Sequence, residues 1–221
     1  LGISGIVFVS NVAQKQMDYA VSHKIPAVLV NSVSAQLPSI LSDNRRGAYL
    51  AGRYLIEQGH TDVALLAGIR SYVSNQARMA GVLQAFREEG IEIPADRILQ
   101  SDSWLYGAAE SICYDYFSTH RDNHPTALFA FNDRLATGAI NAIKKVGLSV
   151  PDDVSVIGYD NLGYYNLVSP RITSIETHIE AIAEATVMHM LWQLGSGNCL
   201  PVKVLAPVEV AHGDTVRDLR S

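Results

Sequence analysis

The sequence predicts an α/β fold built on mainly parallel sheet, and three observations carry that prediction. Short, strand-sized apolar runs, such as Gly5–Val9 and Val63–Ala67, alternate with helix-patterned segments along the whole chain. Glycines stand where most of those helices must stop. With 221 residues and 48% apolar content, the chain can bury a substantial core. Strands separated by helices need crossover connections, and crossovers make neighbouring strands parallel.

In chain order, strands are predicted at Ile3–Val9 and Ala27–Val30, around a weak helix from Val12 to Ser22. A brief strand follows Pro38 and ends near Ser42. Asp43 and Asn44 offer an N-cap for a helix over Arg45–Gln58, in which Ala48, Ala51, Tyr54 and Leu55 share a face and Gly59 closes the end. The pattern repeats with strand Val63–Ala67 and helix Asn75–Glu89, closed by Gly90, then Arg97–Gln100 and a helix from Tyr106 to Phe117. Strand Ala127–Phe131 leads into helix Arg134–Val146, stopped by Gly147. Strands are read at Val154–Tyr159 and Ile172–Ile175, before a long amphipathic helix over Ile179–Leu194 broken at Gly195–Gly197. Strand Val202–Leu205 follows, and Arg217–Ser221 reads as a frayed tail.

Composition excludes several classes. Charged residues make up 18%, the formal net charge is −5, and the arginines are scattered rather than clustered, so the chain itself lacks the basic stripe of a nucleic-acid-binding domain. Its longest apolar runs are strand-sized, far short of the roughly 18–20 residues a spanning helix needs. No secretory signal is visible. Cys113 and Cys199 lie in no CxxC motif and read as reduced, partly buried thiols of a cytoplasmic protein.

Ligands of open parallel sheets sit beyond the carboxyl ends of the strands. Polar or aromatic groups fall there repeatedly: Asn31, Asp43, Ser74, Arg78, Trp104, Asn132 and Asp160. Carboxylates and amides accept from and donate to vicinal hydroxyls, an arginine offers a rigid fork of donors, and a tryptophan offers an apolar platform. The set suits a small polyhydroxylated ligand. Plain helix capping by Asp43, Asn44, Asn132 and Asp133 stays open, as does core packing for Trp104. Arg78 lies in a helix whose neighbours Met79, Ala80, Leu83 and Phe86 look buried, so inside the fold it demands a partner, and an exposed position at the surface stays open as the alternative.

Longer stretches sharpen this reading. They are Leu55-Ile-Glu-Gln-Gly-His60 followed by Asp62–Gly68, Arg78-Met-Ala-Gly81, Pro125–Asp133 with Ala136 and Gly138, Gly147–Asp160, and Pro170 with Thr173. In order and spacing they resemble the lactose-repressor/galactose-repressor family of transcription regulators. The resemblance implies two similar parallel-sheet α/β/α subdomains joined by three crossovers, the periplasmic-binding-protein-like type I arrangement. The crossings would fall near Asp43, Glu176 and Ala206, giving 1–43 plus 177–206 and 44–176 plus 207–221.

The resemblance also implies a ligand in the cleft between the subdomains, held at Asn31, Asp43, Ser74, Arg78, Asn132 and Asp160. Trp104 would be the aromatic platform, and Tyr72 and Thr177 align with further cleft positions. By the same resemblance the helix-turn-helix, the hinge helix and the first strand and helix of the core lie outside the chain. Operator DNA would be met through that headpiece, in a homodimer. Asn31 and Ser42 depart from the family's sugar regulators, which often carry Asp and an apolar or aromatic residue there. His212 stands where an Arg is usual.

The expected function is therefore sensing of a small sugar-like effector, without cofactor or metal. A purine or nucleoside effector and a periplasmic sugar-binding protein are the alternatives. An enzyme is not expected: no GxSxG, P-loop, HExxH, CxxC pair or GxGxxG occurs, and none of the seven histidines forms a metal-spaced pair.

Overall fold

A computed structural model describes residues 2–163 and 169–220. The chain divides into two compact units, Leu1–Asp43 with Thr177–Val208 and Asn44–Glu176 with Glu209–Ser221. In chain order the elements begin β1 (Ile6–Val9), α1 (Gln14–Ser22), β2 (Ala27–Val30), β3 (Ser39–Ser42), α2 (Asn44–Glu57), β4 (Val63–Ala67) and α3 (Val73–Glu88). They continue β5 (Ile98–Gln100), α4 (Tyr106–Thr119), β6 (Ala127–Ala130), α5 (Asp133–Lys145) and β7 (Ser155–Ile157). The last are β8 (Ser174–Glu176), α6 (Ile179–Ser196), β9 (Lys203–Ala206) and β10 (Glu209–Ala211).

The first unit is a four-stranded parallel sheet in the order β1-β2-β3-β9. Met17 and Ala20 of α1 bury against Ala27, Leu29 and Leu37. Ile182 of α6 buries against Val28, Ile40 and Ala206. Gln193, 2% exposed, clamps the start of β2: its Oε1 accepts from the Ala27 N–H at 3.2 Å and its Nε2 donates to the Ala27 carbonyl at 3.0 Å. The amphipathic stripe expected of α6 is not what the helix presents. Its buried positions are Ile182, Thr186 and Gln193, whereas Val187, Met188, Leu191 and Trp192 are exposed. A helical repeat through positions 182, 186 and 193 sets the buried face, and that face happens to carry polar residues that bond backbone.

In the second unit the parallel sheet runs β5-β4-β6-β7, and β8 pairs with β10 antiparallel. Every residue of β4 and β6 is buried, as expected of parallel strands covered on both faces. Strand β10 escapes the sequence pattern because three residues with an exposed Glu209 carry almost no periodic signal. Gly59, Gly90 and Gly147 each take positive φ after their helices, the left-handed closure predicted for them. Cys113 is buried, which pushes its thiol up to about 12, while Cys199 is exposed rather than partly buried.

Of the tail predicted to fray, residues 217–220 are docked instead, and Ser221 lies outside the described residues. The Leu219 N–H donates to the Gln58 carbonyl at 2.8 Å, and the Arg217 N–H donates to Ser155 Oγ at 2.9 Å. His60 anchors the same segment. It is 1% exposed, with Nε2 3.0 Å from the Arg217 carbonyl and Nδ1 3.0 Å from the Thr126 hydroxyl. Burial holds its imidazole below the ordinary histidine range, so the folded chain disfavours the charged form. The contribution of His60 to stability is therefore complete at alkaline pH and declines as pH falls from about 6.5. His60→Gln is expected to flatten that decline. The slope of urea midpoint against pH checks it, and equal slopes in both proteins would remove His60 from the account.

Candidate functional site

The site is built around Arg78, on the first half of α3. Only 7% of the residue is exposed, so its charge must be met by protein groups. Nε donates to Asn44 Oδ1 at 2.8 Å, and Nη2 donates to Asp160 Oδ1 at 3.0 Å. Nη1 donates to the Phe131 carbonyl. The guanidinium carbon sits 3.6 Å from the centroid of the Tyr159 ring, a cation–π stack that orients the fork. These bonds leave one N–H on each terminal nitrogen for a further acceptor.

Asp160 lies just beyond β7, and its side chain remains 29% exposed despite the ion pair. Burial raises its carboxyl above the ordinary value, against the pull of Arg78. The backbone there is unusual: Asp160 has φ of 98° and Asn161 φ of 48°. Asp and Asn tolerate left-handed backbone better than most residues, but consecutive use of it is costly and is found where surrounding contacts enforce it. Here the Asp160 N–H donates to the Ile175 carbonyl at 2.9 Å and Asn161 Nδ2 donates to Glu176 Oε2 at 2.6 Å.

Asn132 caps α5: its Oδ1 accepts from the Leu135 N–H at 2.7 Å. That is the capping role left open from sequence, and it directs the side chain along the helix start. Ser74 is half-buried in the first turn of α3, and Tyr72 occupies that helix's N-cap without a side-chain capping bond. The rings of Tyr72 and Trp104 lie 5.8 Å apart at 59°. Trp104 presses on Gly68, where a Cβ would lie 2.3 Å from the indole, and its buried Nε1 has no hydrogen-bond partner in the structure. Arg78 and Asp160 are thus in direct contact, as are Tyr72 and Trp104.

Asn31, Asp43 and Thr177 belong to the first unit. Asn31, just after β2, is exposed with φ of 54°, and donates its N–H to the Ile40 carbonyl at 3.0 Å. Asp43 is half-buried, its N–H donating to the Ala206 carbonyl at 3.1 Å, and Thr177 is 6% exposed.

Several site residues escape sequence reasoning. Asn44 reads as a helix cap but supplies the acceptor for Arg78 Nε. Tyr159 reads as strand core but is the face under the guanidinium. Asn75, buried, accepts from the Gly68 N–H at 2.9 Å and so fixes the turn leaving β4. The buried face of α3 also differs from expectation: it is Asn75, Arg78, Gly81, Val82, Ala85 and Phe86, while Ala80 is exposed. The cause is Gly81, which brings α2 against that face. Among the described residues no group of three or more His, Cys, Asp or Glu is placed to hold a metal, and no helix is long and apolar enough to cross a membrane.

The periplasmic binding protein-like domain family matches residues 53–216. The chain is 32% identical over 200 residues to a probable HTH-type transcriptional repressor, ExuR, of Bacillus subtilis, covering 88% of this chain and 58% of that protein. It is 36% identical over 156 residues to the HTH-type transcriptional repressor PurR of Vibrio campbellii, covering 68% and 45%. The chain thus spans about half the length of these relatives. A LacI family transcriptional regulator from Enterococcus faecium, solved with bound ribose, superimposes with a TM-score of 0.87 at 22% identity, over 98% of this chain and 81% of that one. The chain belongs to the periplasmic binding protein-like domain family, in the form found in regulators of the lactose-repressor/galactose-repressor type.

Proposed function

We propose that this domain is the effector-sensing part of a bacterial DNA-binding transcriptional regulator, taking a small sugar-like ligand at the Arg78–Asp160 pair and performing no reaction on it. The observation that carries the reading is the pair itself. A buried guanidinium with donors to spare stands beside a partly exposed carboxylate, on backbone held in a costly conformation. Donor and acceptor side by side match a vicinal diol, and hydrogen bonds to charged groups contribute about 1.5–3 kcal/mol each. Ser74 and Asn132 add polar contacts, and Tyr72 and Trp104 add apolar surface. The regulator works in the cytoplasm as a homodimer. Effector binding biases it between states of different operator affinity, by a coupling of about 1–3 kcal/mol.

Thermal unfolding of the chain across ribose, other sugars, sugar phosphates and purine bases tests this. A ligand at about 100 times its dissociation constant adds roughly 2.7 kcal/mol to stability. The expected result is stabilisation by a sugar and its loss in Asp160→Asn, which keeps the shape but removes the charge. Stabilisation by purines alone overturns the sugar assignment. A flat response to the whole panel overturns the effector reading.

A further inference from the structure

We infer that Asp133 is a positioning residue: its buried carboxyl braces the 158–162 turn and so holds Asp160 on Arg78, making ligand affinity responsive to pH. The inference deepens the proposed function and rests on that reading for its ligand.

The geometry is that of a brace. Asp133 opens α5 and is 1% exposed. Its backbone N–H donates to the Tyr159 carbonyl at 2.9 Å, tying the residue to the end of β7. Its Oδ1 accepts from Ser174 Oγ at 2.6 Å, and that same hydroxyl accepts from the Asn161 N–H at 3.2 Å. Gly158 is required for the approach, because a Cβ there would lie 2.2 Å from Asp133 Oδ1. The carboxyl therefore packs on Gly158 at the start of the turn and reaches Asn161, the left-handed residue after Asp160, through the Ser174 hydroxyl.

The other oxygen, Oδ2, is buried without a hydrogen-bond partner. An ionised carboxylate so placed is poorly solvated, and burial pushes Asp133 up to about 7 even though Ser174 and the amides of Leu162 and Asn161 favour the charged form. The ionisable groups on the surrounding elements are Asp160 on the turn, Glu176 on β8, Arg78 on α3 and Arg134 beside it on α5. Of these Asp160 acts on Asp133, by like-charge repulsion. A neutral Asp133 leaves the pull of Arg78 and Arg134 on Asp160 unopposed from that side. An ionised Asp133 sets a second negative charge against the turn.

Affinity for whichever sugar or purine stabilises the chain is measured from pH 5.5 to 8.5 by calorimetry, in wild type, Asp133→Asn and Asp133→Ala. Wild-type affinity is expected to fall as pH rises through about 7. Asp133→Asn, with the shape but no charge, should stay flat at the wild-type acid-side value. Asp133→Ala should bind about tenfold more weakly at every pH, the loss of one misaligned charge-assisted hydrogen bond. An unchanged pH profile in Asp133→Asn, or wild-type affinity in Asp133→Ala, overturns the inference. If Asp133→Ala does not fold, the Asp133→Asn profile decides alone. A ligand-free measurement separates the two readings: the Arg78 Nε–H resonance in nitrogen-15-labelled chain should shift with pH in wild type and not in Asp133→Asn. Should no ligand bind, the effector reading fails while this resonance still tests the brace, and a resonance flat with pH overturns it.

Discussion

Arg78→Ala is expected to cost about 3–5 kcal/mol of folding stability, the range for removing one partner of a buried ion pair. The reason is what stays behind. Asn44 Oδ1, the Phe131 carbonyl and Asp160 Oδ1 each lose a charged donor, and the Tyr159 ring loses the plane stacked on it. Domains of this kind hold only about 5–15 kcal/mol in total, so the variant should unfold at much lower urea. Arg78→Lys should rescue little. An ammonium is one compact charge, and it cannot span three acceptors that the planar fork reaches together. Arg97 is the internal control, another buried arginine of the same unit, donating to Tyr116 Oη at 2.6 Å and Asp62 Oδ2 at 2.9 Å. Its replacement should also cost stability yet leave ligand affinity intact, because its partners lie away from Asp160. Equal stability of Arg78→Ala and wild type in urea, or a full rescue by lysine, would falsify the account of Arg78 as the keystone of the site.

The strands most legible in sequence are largely buried ones. Ala27–Val30 and Val63–Ala67 come out with the predicted bounds, because a short unbroken apolar run between turn residues has few other uses. Glycine closures are equally legible, since positive φ is their physical reason for being there. Beyond those, local pattern gives out. That Arg78 needs a partner follows from its apolar neighbours. That the partners are Asn44, 34 residues earlier, and Asp160, 82 residues later, depends on the crossing of α2 with α3 and on the turn after β7. Asn44 and Asp133 share one ambiguity: an amide or carboxyl at a strand–helix junction looks like a cap until a partner from another element claims it. Strand β10 and the docked C-terminal residues were invisible for a different reason, because they are held through their own backbone groups by distant segments and need no particular side chain of their own.

Gly81→Ala should destabilise the chain by about 1–3 kcal/mol, although helix propensity alone points the other way. Alanine is favoured over glycine inside a helix by about 1 kcal/mol. At Gly81 that preference meets backbone. A Cβ would lie 2.1 Å from the Arg45 carbonyl oxygen and 3.0 Å from the Tyr49 nitrogen, so α2 and α3 touch main chain to main chain. Neither atom can swing aside as a side chain would, and the helices must separate, at the cost of about 1–3 kcal/mol typical of overpacking. The contact one helix turn away suffers too, since Gly52 already holds Ala85 Cβ at 2.8 Å from where its own Cβ would stand. Separation also lengthens the Arg78–Asn44 bond, because Asn44 adjoins Arg45 on α2 and Arg78 precedes Gly81 by one turn of α3. The variant should therefore lose ligand affinity along with stability. Gly107 and Gly195 supply the contrast: both are helical with nothing within 4 Å of an added Cβ. Alanine at either should be neutral or gain up to about 1 kcal/mol. Urea midpoints of the three variants measured side by side decide the matter. If Gly81→Ala tracks Gly107→Ala, the two helices have room to spare, and the close crossing is not what fixes Arg78 against Asn44.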